Sequence, residues 1–140
     1  MSRLFDSIAA SGEALWLLLG RIGLGILYVP SGFGKLTNPA GLAGMLATKG
    51  APAAELLAYA AGAVEFFGGL AIILGFKTRG AAIVMIVFTI IATLLAHQFW
   101  LLDDPARSVQ RIQFYKNVAI IGGFLFVFVR GAGPASLDRR

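Results

Sequence analysis

Four apolar stretches, each near the length of about twenty residues that crosses a bilayer as a helix, leave this chain few ways to fold. They run over about residues 14–33, 52–75, 80–100 and 114–129 and take up most of the 140 residues. No water reaches the backbone inside hydrocarbon, so each stretch must close its own hydrogen bonds as a helix. The predicted fold is an all-α integral membrane four-helix bundle, up-down and antiparallel, with both termini on the same side and one domain over 1–140. Charged residues make up 14% of the chain, where a soluble domain carries about a quarter. Mean hydropathy is +0.81.

Local punctuation agrees with four helices. Ser11-Gly12-Glu13 reads as a cap before the first span, Pro52 suits the first turn of the second, and Gly75 and Gly131 suit C-terminal ends. Pro30 is expected to kink or end the first span. Between Lys35 and Ala51 the connection is long, and Leu42, Met45 and Leu46 suggest a short re-entrant or interfacial helix there. Phe76 to Arg79 is a tight turn, which makes the second and third spans antiparallel neighbours. Leu101 to Ile112, with Asp103-Asp104-Pro105 and Arg107, reads as a polar loop. The first span contains Arg21 and has no small-residue cleavage site after it, so it is expected to stay attached rather than act as a signal peptide.

The formal charge is +5, but the basic residues sit at segment ends, which points to lipid headgroups and orientation rather than to nucleic acid. Arg3, Lys77, Arg79, Arg130, Arg139 and Arg140 fall on the side of the termini. Lys35, Lys49, Arg107 and Arg111 fall on the other, with Lys116 at the edge. That bias puts the termini in the cytoplasm and the protein in the inner, cytoplasmic membrane as a multi-pass protein. Cysteine is absent, which removes disulfide exchange and cysteine metal ligands from this subunit's own chemistry.

Within the spans, ionisable groups are costly and need a reason. Glu65 lies near the middle of the second span and Arg21 a few residues from the middle of the first. The two depths allow an Arg21–Glu65 ion pair, either a structural pair that sets register or part of a ligand or proton site. Met85, Thr89, Thr93 and His97 recur every four residues and mark one semi-polar face. Arg21, Gly25, Tyr28, Gly32 and Lys35 follow helical spacing as well. Lys35 follows the end of the first helix, His97 ends the third, and Lys116 and Asn117 open the fourth. These groups converge toward the long loops, as a polar funnel with Arg21 and Glu65 at its floor.

Each group also has a plain alternative. His97 is either an interfacial histidine beside Trp100, a proton donor to a ligand or, with no second histidine to complete a site, more weakly a metal ligand. Lys35 and Lys116 either snorkel to headgroups or bind substrate. Asn117 either bonds a neighbouring helix or contacts ligand, with Thr93 beside it on the stripe. Trp16, Phe99, Trp100 and Tyr115 fit an aromatic belt.

Several pieces together resemble the DoxX family of small bacterial and archaeal membrane proteins. They are G-R-I-G-L-G and G-F-G-K-L around the first helix, V-E-F-F-G-G-L-A-I-I-L-G-F-K-T-R across the second helix and turn, and His97 with Phe99-Trp100. F-Y-K-N-V-A-I-I-G-G in the fourth helix and G-A-G-P-A-S-L-D in the tail complete the set. The resemblance implies a four-helix inner-membrane protein, similar to a subunit of a thiosulfate:quinone oxidoreductase and to proteins of membrane oxidoreductase assemblies. It points to Arg21, Lys35, Glu65, Arg79, His97, Lys116 and Asn117.

The function expected is the membrane subunit of a redox system that binds a quinone or another small substrate in an intramembrane polar pocket. His97, Glu65 and Arg21 are the catalytic candidates, and Lys35, Lys116, Asn117 and Thr93 the substrate-binding ones. No cofactor motif is evident, and a quinone is left open as cofactor or ligand. Expected partners are the lipid bilayer and a soluble or membrane oxidoreductase, with no nucleic acid and with homo-oligomers left open. The alternatives are a non-enzymatic anchor or assembly factor, in which Asp103, Asp104 and Arg107 carry the contacts, and a small transporter.

Overall fold

A computed structural model describes residues 2–138. Six α-helices follow in order: α1 Ser2–Ser11, α2 Glu13–Thr37, α3 Ala40–Thr48, α4 Ala54–Leu74, α5 Thr78–Ala96 and α6 Ala106–Arg130, with a 3-10 turn at Phe99–Leu101. Four of them are long and apolar enough to cross a membrane, those of Glu13–Thr37, Ala54–Leu74, Thr78–Leu101 (which takes in the 3-10 turn) and Ala106–Arg130. They form the expected all-α, up-down bundle, with α2 packed along α4 and α5 along α6. Lipid-sized side chains such as Ile26, Phe67, Val87 and Phe126 cover its outside.

The α2–α4 seam is built on glycine. A Cβ on Gly25 would lie 2.7 Å from the Gly69 carbonyl oxygen, and one on Gly32 would lie 2.4 Å from the Phe66 nitrogen and 2.7 Å from the Gly62 oxygen. The pairs Gly25–Gly69 and Gly32–Gly62 are each seven residues apart along their helices, a heptad match that lets two backbones touch and sets their antiparallel register. Gly32→Ala should therefore cost about 2 kcal/mol, within the range for overpacking a tight contact. Chemical unfolding in mixed micelles reads this; the open Gly34, changed to Ala, should lose nothing.

A smaller core closes between α2, α4, α5 and α6, around Tyr28, Ile72, Ala82, Met85, Ile86 and Phe124. The semi-polar stripe on α5 faces inward: Met85, Thr89 and Thr93 are buried. Thr89 and Thr93 return their hydroxyl hydrogens to the carbonyls of Met85 and Thr89, at 2.7 and 2.6 Å. This back-bonding inside the helix satisfies a hydroxyl in an apolar setting.

Several boundaries differ from the expectation. α2 runs through Pro30 to Thr37 instead of stopping near Phe33, because membrane helices tolerate a proline where neighbours pack around it. α6 starts at Ala106 rather than Phe114, so Arg107 and Arg111 are helical and only a short linker with Asp103 and Asp104 remains. There Ser108 donates its hydroxyl to Asp104 at 2.5 Å and holds that carboxyl below its ordinary range. Pro52 lies outside α4, whose N-cap is Ala53. Gly12 caps α2 with no side-chain hydrogen bond, and Ser11 instead ends α1, a helix that hydropathy of spanning segments does not reveal. The short helix expected between the first two spans is present as α3. Gly75 and Gly131 do end α4 and α6, at φ 65° and 81°.

The end bearing both termini is tied by the C-terminal tail. The last four carbonyls of a helix lack intrahelical partners, and in α4 each finds one. Ala71 accepts from Phe76 N at 2.9 Å, Ile72 from Gly75 N at 3.2 Å, and Leu74 from Leu137 N at 3.0 Å. Ile73 accepts from the Arg21 guanidinium at 2.8 Å. Asp138 then accepts from the backbone nitrogens of Lys77 and Thr78, both at 2.8 Å, and from the Thr78 hydroxyl at 2.7 Å, which caps α5. Glu13 and Arg130 pair at the same end.

Candidate functional site

At the opposite end, toward the α2–α4 connection and the α5–α6 linker, the helices enclose a cavity of about 450 Å³. Its walls are mostly apolar, with Leu27, Leu57, Ile91 and Leu95 from the spans and Leu42, Met45 and Leu46 from α3. Into it α2 brings Lys35, α4 brings Glu65, α5 ends on His97, and α6 brings Lys116 and Asn117. Five of the seven predicted site residues thus line one space. Thr93 stands directly behind, accepting a 2.9 Å hydrogen bond from the Asn117 amide.

Arg21 does not belong to this group, and the expected Arg21–Glu65 pair is not formed. The Arg21 side chain points to the end with the termini, where it donates to the carbonyls of Ile73, at 2.8 Å, and of Ala135. In the glycine register its partner Ile73 is eight residues from Glu65, roughly 12 Å along the helix. Depth counted from a span ending at Phe33 placed Arg21 too near the middle; α2 extends four residues further, and Arg21 shifts toward its N-terminal half.

The same extension supplies the real partner of Glu65. Lys35 sits in the last turn of α2, not beyond it, and helical side chains lean toward the N-terminus of their own helix. Its stem therefore runs back into the bundle rather than out to headgroups. Nζ donates to the Ser31 hydroxyl at 2.6 Å and to Glu65 Oε2 at 2.7 Å. The Glu65 side chain is 9% exposed and that of Lys35 25%, so the pair is largely desolvated but opens on the cavity.

His97 is the C-cap of α5, and its Nδ1 lies 2.6 Å from Gln110 Oε1. Ser31 and Gln110 are the two polar residues the sequence reading missed. Ser31 stands one helical turn before Lys35. Gln110 has a legible signature, since Gln110, Asn117 and the buried Phe124 are spaced by sevens on one face, but it was hidden while residues 101–112 read as loop. Tyr28, also on the cavity wall, shares a 2.6 Å hydrogen bond with Thr89. Thr89 spends its hydrogen on Met85, so Tyr28 is the donor. Lys116 lines the cavity and, among the described residues, has neither counter-ion nor hydrogen-bond partner. Among the same residues no three of His, Asp and Glu come together as a metal site. The polar set offers hydrogen bonds, charge and proton transfer. Phe99, Trp100, Phe114 and Tyr115 pack together beside it, mostly edge to face, with ring centroids 5.3 to 6.4 Å apart.

The family model for DoxX matches residues 16–98, more than half of the chain and the part that carries Arg21, Lys35, Glu65 and His97. The chain belongs to the DoxX family. This DoxX protein is 36% identical over 138 residues to inner membrane protein YphA of Escherichia coli K12, covering 99% of its own length and 97% of that protein. It is also 36% identical over 127 residues to inner membrane protein YqjF of the same organism, covering 91% and 92%. A SURF4 family model matches residues 63–140. Over 77 residues this DoxX chain is 30% identical to the ER-derived vesicles protein ERV29 of Saccharomyces cerevisiae, a quarter of that protein's length. No solved structure matches. With relatives of the inner membrane and four spanning helices, the DoxX chain is a small multi-pass inner-membrane protein.

Proposed function

We propose that this protein is the membrane subunit of a redox system and that its cavity binds a quinone or an amphiphile of similar size. In this reading the ring lies among the apolar walls, His97 and Lys116 meet its oxygens from the loop side, and the Lys35–Glu65 pair forms the floor. The single observation that carries it is a ligand-sized cavity inside apolar helices whose few polar groups converge. Binding cavities typically span about 300–1,000 Å³ and pair apolar walls with a small number of placed polar groups. Oxygens that gain charge on reduction need donors of this kind. The chain has no cysteine and no electron-carrying motif is evident in it, so in this reading electrons come from a partner oxidoreductase or from the ligand itself. In this reading the termini lie in the cytoplasm, as the charge bias of the loops favours, and the cavity faces the outer side of the membrane.

Calorimetry of the detergent-purified full chain with a short-chain quinone tests this. Ala92, on the cavity wall, offers a way to fill the space without touching a charge. Ala92→Trp should weaken binding at least tenfold while the unfolding midpoint stays close to that of the parent. Equal affinity in the parent and the filled variant would remove the cavity from the reading.

A further inference from the structure

We propose that the cavity holds its ligand as a monoanion: an apolar molecule whose head is an acidic hydroxyl in its ionised form, of the hydroxyquinone kind, set against the Lys116 ammonium. This deepens the reading above and rests on the cavity being the quinone-class site.

The charges facing the cavity are few. Lys35 and Glu65 cancel each other in their 2.7 Å pair, and the Tyr28 hydroxyl is engaged by Thr89. Of the remaining titratable groups, His97 and Lys116, only Lys116 brings a fixed charge, and it is unpaired. Lys116 stands ten residues into α6, roughly 15 Å from the helix start. Its side chain is exposed near the start of the apolar part of α6, and at that edge an ammonium that lines the cavity without a counter-charge attracts an anion into it. A ligand head bearing one negative charge gives that ammonium the counter-ion it lacks.

Hydrogen-bond directions ask for the same head. An amide oxygen only accepts, so the His97 nitrogen facing Gln110 Oε1 carries the hydrogen and Nε2 keeps its lone pair. Asn117 donates its NH₂ to Thr93, whose own hydrogen goes to the Thr89 carbonyl, so Asn117 Oδ1 is left as an acceptor. A quinone offers only acceptor oxygens and satisfies Lys116 alone. A hydroxyl head also brings a hydrogen for Nε2. On binding, the ligand O–H bond breaks, its electron pair stays on the oxygen beside Lys116, and the proton passes to Nε2 of His97. The imidazolium keeps its other N–H on Gln110. No electron is transferred and no co-reactant is needed.

The test uses an alkyl nitrophenol, whose phenolate is coloured, with the full chain in detergent at the pH where the probe is half ionised in empty micelles. Decylquinone binding is followed in parallel. With each protein saturated by the probe, the ratio of bound phenolate to phenol should rise about tenfold, one unit of pKa, in the parent and in Lys116→Arg, and fall back in Lys116→Gln. Should both molecules bind while the ratio stays at its micelle value, or stays raised in Lys116→Gln, the monoanion is wrong and the quinone-class cavity stands. If neither molecule binds, both are overturned.

Discussion

Replacing Arg21 with methionine is expected to destabilise the protein by about 3 kcal/mol, although methionine suits a membrane helix far better than arginine does. Arg21 is 2% exposed, and its guanidinium donates at 2.8 Å to Ile73, the one terminal carbonyl of α4 that no backbone amide reaches, and also to Ala135 in the tail. Removing it strands two carbonyls at roughly 1–3 kcal/mol each and takes a cation from the negative end of a helix dipole. Relief of the arginine's own desolvation offsets part of this. Lysine should rescue little, since a point charge cannot bridge two carbonyls on separate segments as a planar fork does. Because Leu137 and Asp138 hang on the same helix end, at 3.0 and 2.9 Å, their amides should exchange with deuterium much faster in the variant. Unchanged exchange at those two amides would sink the idea that Arg21 holds the tail.

Breaking the Lys35–Glu65 pair has an effect of similar size with a different signature. Glu65→Ala leaves the Lys35 ammonium facing the interior with only Ser31, and Lys35→Ala leaves a carboxylate that is 9% exposed. Removing one partner of a buried pair costs about 3–5 kcal/mol. Because the cavity admits water to Lys35, whose side chain is 25% exposed, about 2–3 kcal/mol is expected for either single change. The double variant Lys35→Met with Glu65→Leu should recover most of that, since it leaves no lone charge. A double-mutant cycle in mixed micelles measures this, and additive losses in the double variant would mean that the two residues are not energetically coupled.

Both experiments turn on a point where reading along the chain went astray. Hydropathy identified four spans, because water is excluded from each of them whatever its neighbours do. Spacing by fours identified Met85, Thr89, Thr93 and His97 as an inward face, because helical periodicity is local. Depth was harder. The expectation ended the first span near Phe33, and α2 ends at Thr37. Those extra residues put Lys35 within reach of Glu65 and moved Arg21 away. No local rule predicts that a helix will continue through Pro30, because the packing against α4 that permits it lies thirty and more residues downstream. Gln110 was hidden in the same way by a helix read as beginning eight residues late.

By itself, then, the sequence determined that the chain crosses the membrane four times, which face of α5 turns inward, and that Lys35, His97, Lys116 and Asn117 tend to one end, with Glu65 deeper in its span. Those properties follow from periodicity, length and the cost of charge in hydrocarbon, and all three act residue by residue. The tertiary structure alone decided which cation meets Glu65. That choice depends on the register of α2 on α4, set where Gly25 meets Gly69 and Gly32 meets Gly62, and on a tail that waits at the far end with carbonyls for Arg21. Partners across a helix seam are fixed by a contact between two backbones, and no spacing within either helix encodes it.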